Sequence, residues 1–441
     1  KGIVLSTGWK VGGLAADLPN LWTDDCLEMI DRHTYQGGGD NLRGGIFITG
    51  DGNDSDDTPG DVSQGNSHEE PGSSSGILQW SHMQIEDKPM QHSEWIASAP
   101  SPWKADSVPT YAFYGMGLYG WDAGLNFTTG GRFSYEGGWP RLTFWTVLTP
   151  HHVGQYPAIS RALREAHLTE GEPAYAERFA AEDIFTGTDV RAEYDPWIGA
   201  VGPLVKSFDG GNTEMADIEA YRDGDFINSN TGELAWNING WYKIMAEKSQ
   251  GIVGKAGPNT ISLPDVEVQL ETNFVSLLFT SLDGRPISTS SSILITAMAQ
   301  DKQTGAIYNS DQTQITALGG PPLLLEPVQA TLQFGGEPII GVKILDEHGI
   351  PIGDVEDVTD NTVVIDGRWR TAWYQVQRAV PDEPSDTAEE TDTGDSSTTE
   401  NIDTGGDMGP KESGCSCSTT STPVGLIWLL GLFGIVWARR E

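Results

Sequence analysis

Cysteine is almost absent from this chain. Of 441 residues three are Cys, and everything before Cys415 holds only Cys26, so no disulfide framework can brace the folded body. Cys26 lies among Leu27, Met29 and Ile30 and reads as a small buried hydrophobe. Positive charge is scarce as well. Lys and Arg number 26 against 63 Asp and Glu, a formal net charge of -37. Such a surface repels a phosphate backbone and argues against nucleic acid as a partner. It suits a saline or wall-facing setting in which counterions screen the self-repulsion, and it leaves neutral substrates open. Metal-ligand spacing is missing too. His151 and His152 are adjacent and point in different directions, and no H-E-x-x-H or Cys cluster supports zinc, so no cofactor is expected. No internal period marks a repeat architecture. The chain also lacks an initiator Met and an export signal at its start. It begins KGIVLSTGW, which already reads as a buried strand, and the expectation is an N-terminal truncation.

What the chain does have is core-forming side chains. Hydrophobic residues make up 37 %, with 15 Trp, which excludes wholesale disorder, and the length favours two folded units. Residues 1–171 contain strand-like runs at 2–7, 27–35, 88–95 and 114–128. A helical stretch at 156–168 follows, with Ile159, Ala162, Leu163 and Ala166 on one face. Polar and aromatic residues gather where the strand-like runs end, the pattern of an α/β TIM barrel with its catalytic rim at the strand C-termini. A Gly/Ser/Asp-rich insertion at 51–76 reads as a flexible rim loop. Weak calcium binding across 51–61 is conceivable from its acids, although the spacing does not match an EF-hand. Residues 172–380 are short alternating runs joined by Gly, Asp and Asn turns, the signature of an all-β, sandwich-like accessory domain. Asp283-Gly284 and Asp366-Gly367 are hairpin-turn candidates.

From 381 to 414 the chain is acidic, Ser/Thr/Gly-rich and nearly free of apolar side chains, the composition of a disordered linker. Residues 415–441 form a tail: Cys415 and Cys417 in a small-residue run, a short hydrophobic helix over Val424–Ala438, then Arg439 and Arg440. The apolar run is shorter than the roughly 20 residues of a comfortable bilayer span. This three-part tail resembles the C-terminal sorting signals of myxobacteria and related bacteria. The resemblance implies export to the cell envelope, a brief stay of the tail in the inner membrane, and processing by a dedicated peptidase. Cys415 and Cys417 would mark the sorting or lipid-attachment site, with the mature chain either surface-anchored or released.

Three motifs in order bear on chemistry: D-R-H-T-Y (Asp31–Tyr35), K-P-M-Q-H-S-E-W (Lys88–Trp95) and G-W-D-A (Gly120–Ala123). Together they resemble the C-terminal half of a retaining glycoside hydrolase of the large (β/α)8-barrel superfamily, which holds cellulase-like, β-galactosidase-like and agarase-like enzymes. The resemblance implies an N-terminally incomplete barrel followed by the β domain, acting on a β-linked polysaccharide or its oligomers. It puts the nucleophilic carboxylate on Glu94, which otherwise reads as one more surface acid. By alternation His33 and Tyr35 share one strand side with Asp31, and Arg32 points the other way. His33 and Tyr35 become sugar-hydroxyl ligands or, for His33, a buried structural histidine. His92 is expected to share a face with Glu94, and Trp95 to shape or cover the pocket. Trp121 is the sugar-stacking candidate, with Asp122 and Asn126 as hydroxyl ligands; Trp22, Trp103 and Trp139 are core residues or extensions of the cleft. A retaining enzyme also needs an acid/base carboxylate. In the family it sits in an Asn-Glu pair, and none occurs before Glu94. The expectation is a fragment lacking the acid/base half and inactive alone. The alternative is a non-catalytic surface carbohydrate-binding or adhesion protein.

Overall fold

The computed structural model describes residues 5–8, 13–36, 42–43, 46–48, 84–97, 101–127, 147–185, 194–195, 197–310, 312, 314–317 and 319–379. The expected rim loop at 51–76 with its calcium candidate, the linker 381–414 and the tail with Cys415 and Cys417 lie outside these residues, as does Trp139.

Four strands, Leu5–Gly8, Met29–Gln36, Met90–Ala97 and Ala123–Asn126, form one sheet. They are neighbours in chain order and every pair is parallel. Parallel neighbours need crossover connections. The first crossover is the helix Gly13–Asp24. The crossover from third to fourth strand runs through Ser107–Thr110 into a widened helix, Tyr111–Leu118, which closes with Tyr119 N–H donating to the Tyr114 carbonyl at 2.8 Å. This helix is apolar on all sides and six of its residues are buried. Gly115 is required within it, because a Cβ there would sit 2.4 Å from Cε3 of Trp121. Gly115→Ala should cost about 1–3 kcal/mol through overpacking, read as a lowered urea midpoint; an unchanged midpoint would show that Trp121 can move aside.

The rest of the described residues pair mainly antiparallel. A ten-stranded sheet extends from Arg222–Asp223 at one edge to Pro351–Asp354 at the other, and a five-stranded sheet runs from Asn259–Ser262 to Val358–Thr359. The alternation is plain in Val266–Leu270, where Val266, Val268 and Leu270 are buried and Glu267 and Gln269 exposed. The two sheets share one core, in which Phe279 of the larger meets Phe334 of the smaller edge-on at 5.6 Å. A second core contains both Tyr114 and Trp236, so residues on either side of the expected 171/172 boundary pack together.

The barrel expectation is overturned. A TIM barrel closes eight parallel strands inside a ring of helices. Here the parallel strands form an open sheet of four, with no closed barrel among the described residues, and strand outweighs helix at 41 % to 17 % through the large antiparallel sheets. The misleading signal is clearest in the run from Tyr114. A fully buried apolar run carries no period that separates strand from helix. Its first part is helical, and the strand begins only at Ala123. The expected helix at 156–168 ends at Arg164, and Ala166 adopts a positive φ of 46°. Asp283-Gly284 lies in the connection between the paired strands Val275–Ser281 and Ser292–Met298. Asp366-Gly367 instead links strands belonging to different sheets, so it is not a hairpin turn. Cys26 is exposed rather than buried, because it falls in the turn after Asp24.

Candidate site on the parallel sheet

The second and third parallel strands pair Asp31 with Gln91 and Arg32 with His92, but then His33 with Glu94. Ser93 is therefore an extra residue, a β-bulge in the middle of the strand. A bulge leaves a backbone N–H without its ladder partner. Here the Asp31 side chain supplies it: Oδ1 accepts from Ser93 N–H at 2.9 Å, and Oδ2 accepts from Ser93 Oγ at 2.7 Å. Asp31 is buried, so its carboxylate clamps the bulge from inside. Arg32, on the other side of its strand, donates to Asp24 at 2.9 Å and anchors the preceding helix.

The bulge turns Ser93 and Glu94 to the same neighbour. His33 Nε2 lies 2.9 Å from Ser93 Oγ. Because the Oγ proton goes to Asp31, the Oγ lone pair accepts from Nε2–H. The other ring nitrogen, Nδ1, then faces Glu94 Oε2 at 3.5 Å. Asp31, Ser93, His33 and Glu94 form a chain from a buried carboxylate to one that is 30 % exposed, through an imidazole that is 13 % exposed. Glu94 is the fifth of the eight strand residues Met90–Ala97, immediately after the bulge.

The same bulge corrects the expectation for His92. Simple alternation puts His92 and Glu94 on one face, but the extra residue breaks the period. His92 instead joins Trp95: both meet Tyr111, His92 edge-on at 5.2 Å and Trp95 in a parallel stack at 3.9 Å. His92 is fully buried and stacks on Trp121 at 4.3 Å. Burial above all, then the charges of Arg32 and His33, hold its pKa well below the usual histidine value. It is a neutral core ring, not a pocket group. Trp95 is 7 % exposed and Trp121 2 %, so neither presents a face to a sugar. Gly124 leaves room for the Trp95–Tyr111 stack, since a Cβ there would be 3.1 Å from both rings.

Asp122 is at the wrong end of the sheet for a hydroxyl ligand. Its Oδ2 accepts from Met90 N–H at 2.9 Å, and its own N–H donates to the Met90 carbonyl, which ties the amino ends of two strands together. Asn126 is at the carboxyl end, but its side chain serves as a clip. Nδ2 donates to the Trp95 carbonyl at 3.2 Å and Oδ1 accepts from Tyr156 Oη. Tyr35 pairs with Ile96 along the backbone, and its side chain is outside the described residues. Trp22 packs edge-on against Phe185, and Trp103, 9 % exposed, packs on Phe274 beneath the Lys255 ammonium. Sequence reasoning missed Ser93, because nothing in the composition of a strand announces a bulge.

Among the described residues no group of three or more His, Cys, Asp or Glu is arranged to hold a metal. No described helix is long and apolar enough to cross a membrane. Comparison with protein-family models finds no match, and neither curated proteins nor solved structures yield one.

Proposed function

We propose that the chain belongs to a retaining glycosidase acting on β-linked polysaccharides or their oligomers, with Glu94 as the nucleophile. The observation that carries this reading is the placement of Glu94: a partly exposed carboxylate set beside the bulge of a parallel strand, next to His33, which a buried Asp31–Ser93 pair holds in place. In this role Glu94 attacks the anomeric carbon, expels the aglycone and carries the sugar covalently until water releases it. His33, fixed through Ser93, bounds one side of the Glu94 carboxylate. The bulge matters to this role because it aims the carboxylate from a rigid strand rather than from a loop. The C-terminal tail supports the further proposal that the protein works outside the cytoplasm.

A retaining pair holds its acid/base carboxylate about 5–5.5 Å from the nucleophile. Asp31 is not available for that task, since both its oxygens hold Ser93. A substrate whose leaving group departs without a proton isolates the step assigned to Glu94. Aryl β-glycosides of dinitrophenol, tried as a panel of sugars, should give a burst of dinitrophenolate no larger than the amount of chain, followed by slow turnover. The Glu94→Gln chain should give none. Sugar binding without any burst would favour the non-catalytic carbohydrate-binding alternative and defeat the enzymatic reading. That alternative finds no support in the aromatic side chains, since Trp95 and Trp121 are both buried.

A further inference from the structure

Away from Glu94, a charged cluster is sealed where the crossover after the third parallel strand meets the antiparallel part. Lys104 belongs to the short turn Lys104–Asp106 and is wholly buried. Its Nζ touches Oδ1 of Asp301, whose side chain is 2 % exposed and which lies 197 residues along the chain. A second ammonium proton goes to the Ser101 carbonyl at 3.0 Å. On the other carboxylate oxygen, Oδ2, stands Nδ1 of His151 at 2.9 Å. The opposite His151 nitrogen, Nε2, donates to the Ala299 carbonyl at 2.6 Å. Both ring nitrogens thus face oxygens.

An amine and a carboxylate in contact, held in one orientation and shut away from water, are the two halves of an amide. We propose that Lys104 and Asp301 are joined by an amide bond formed after folding. One Nζ proton passes to Oδ1 across their contact, the freed amine attacks Cγ of Asp301, and the Cγ–Oδ1 bond then breaks. Of the three ammonium protons one stays on the amide nitrogen and two leave with Oδ1 as water, so the step balances with no added reagent. The His151 ring stands 2.9 Å from Oδ2, where negative charge gathers as the tetrahedral centre forms.

Three physical effects favour the reaction at this place. Fixed contact removes the entropic cost of bringing the groups together, which is worth several orders of magnitude in effective concentration. Two buried charges each carry a desolvation penalty, and a neutral amide with water expelled carries neither. Burial also outweighs the pull of Asp301 on Lys104 and lowers the amine's pKa, so the proton leaves more readily than from a surface lysine. The linkage would close a covalent loop between the parallel and antiparallel parts in a chain whose described residues hold no disulfide.

The full chain, purified folded and then denatured, tests this by intact mass and peptide mapping. The expected mass is short by one water, with a branched peptide joining the segments around Lys104 and Asp301. Its closed loop should also migrate faster than a linear chain in a denaturing gel. Lys104→Arg should restore the full mass. Asp301→Asn should form the same link and lose ammonia in place of water. A folded wild-type chain at its full calculated mass, with no branched peptide, would leave only a buried ion pair and overturn the proposal. So would a Lys104→Arg chain still short by one water.

Discussion

Glu94→Gln should lower hydrolysis of an activated aryl glycoside by at least about a thousandfold, the scale of loss when a covalent nucleophile is removed. Stability should change little, because the side chain is partly exposed and the clamp on the bulge is made by Asp31, not by Glu94. Loss of activity by itself would not separate chemistry from binding. Glu94→Gly does so, because it leaves a space beside the anomeric carbon that a small anion can fill. Added azide should restore release of the aryl group and give a glycosyl azide of inverted configuration, since the external anion attacks where the carboxylate did. Azide without effect, together with an unfolding midpoint equal to wild type, would remove Glu94 from the nucleophile's role. Asp31→Ala should act differently, by loosening the bulge and lowering both stability and rate.

Acid should destabilise the fold between about pH 6.5 and 3 through its buried histidines. His152 is fully buried; its ring bonds to Thr149 Oγ1 at 2.8 Å, and burial above all pushes its pKa down from 6.5 to about 3. An unfolded histidine takes up its proton near pH 6.5, whereas the folded ring resists until about pH 3. In that window the unfolded state binds more protons, so stability is present above pH 6.5 and falls as the pH drops. The slope is about 1.4 kcal/mol per pH unit for each such ring. His92 is held low in the same way and adds to it. The strongly negative surface works in the opposite sense, since neutralising carboxylates relieves self-repulsion. A comparison of wild type with His152→Gln separates the two effects. Urea midpoints measured at pH 7 and pH 5 should show the wild type losing about 2 kcal/mol relative to the variant. Parallel losses would mean that the ring titrates normally in the folded chain.

How far the sequence revealed this arrangement depends on period. Val266–Leu270 alternates strictly, and strands of that kind in the antiparallel sheets were open to reading from the chain alone. The D-R-H-T-Y and H-S-E-W runs were legible as strands, but that they pair in parallel and set His33 beside Glu94 is seen only in the structure. The details beyond that depended on features without a sequence period. One unpaired residue, Ser93, moved His92 from the side of Glu94 to the side of Trp95. The buried run Tyr111–Leu118 gave no sign of whether it would coil or extend, and its helix carries Trp121 into the core instead of onto a sugar. Asp122 looked like a ligand because it follows a Trp, yet it precedes the strand and ties down its amino end. The closed barrel was inferred from four strand-like runs. The antiparallel sheets that dominate the chain show that these runs do not make one.

The most direct test of Glu94 is to trap the covalent intermediate. A 2-deoxy-2-fluoro β-glycoside with a dinitrophenyl leaving group needs no acid to react, and its fluorine slows release of the bound sugar. After incubation with the full chain, the intact mass should rise by one fluorosugar, and fragmentation of the peptide containing Met90–Ala97 should place it on Glu94. An adduct on any other residue, or none across a panel of sugars with the chain folded, would contradict the assignment.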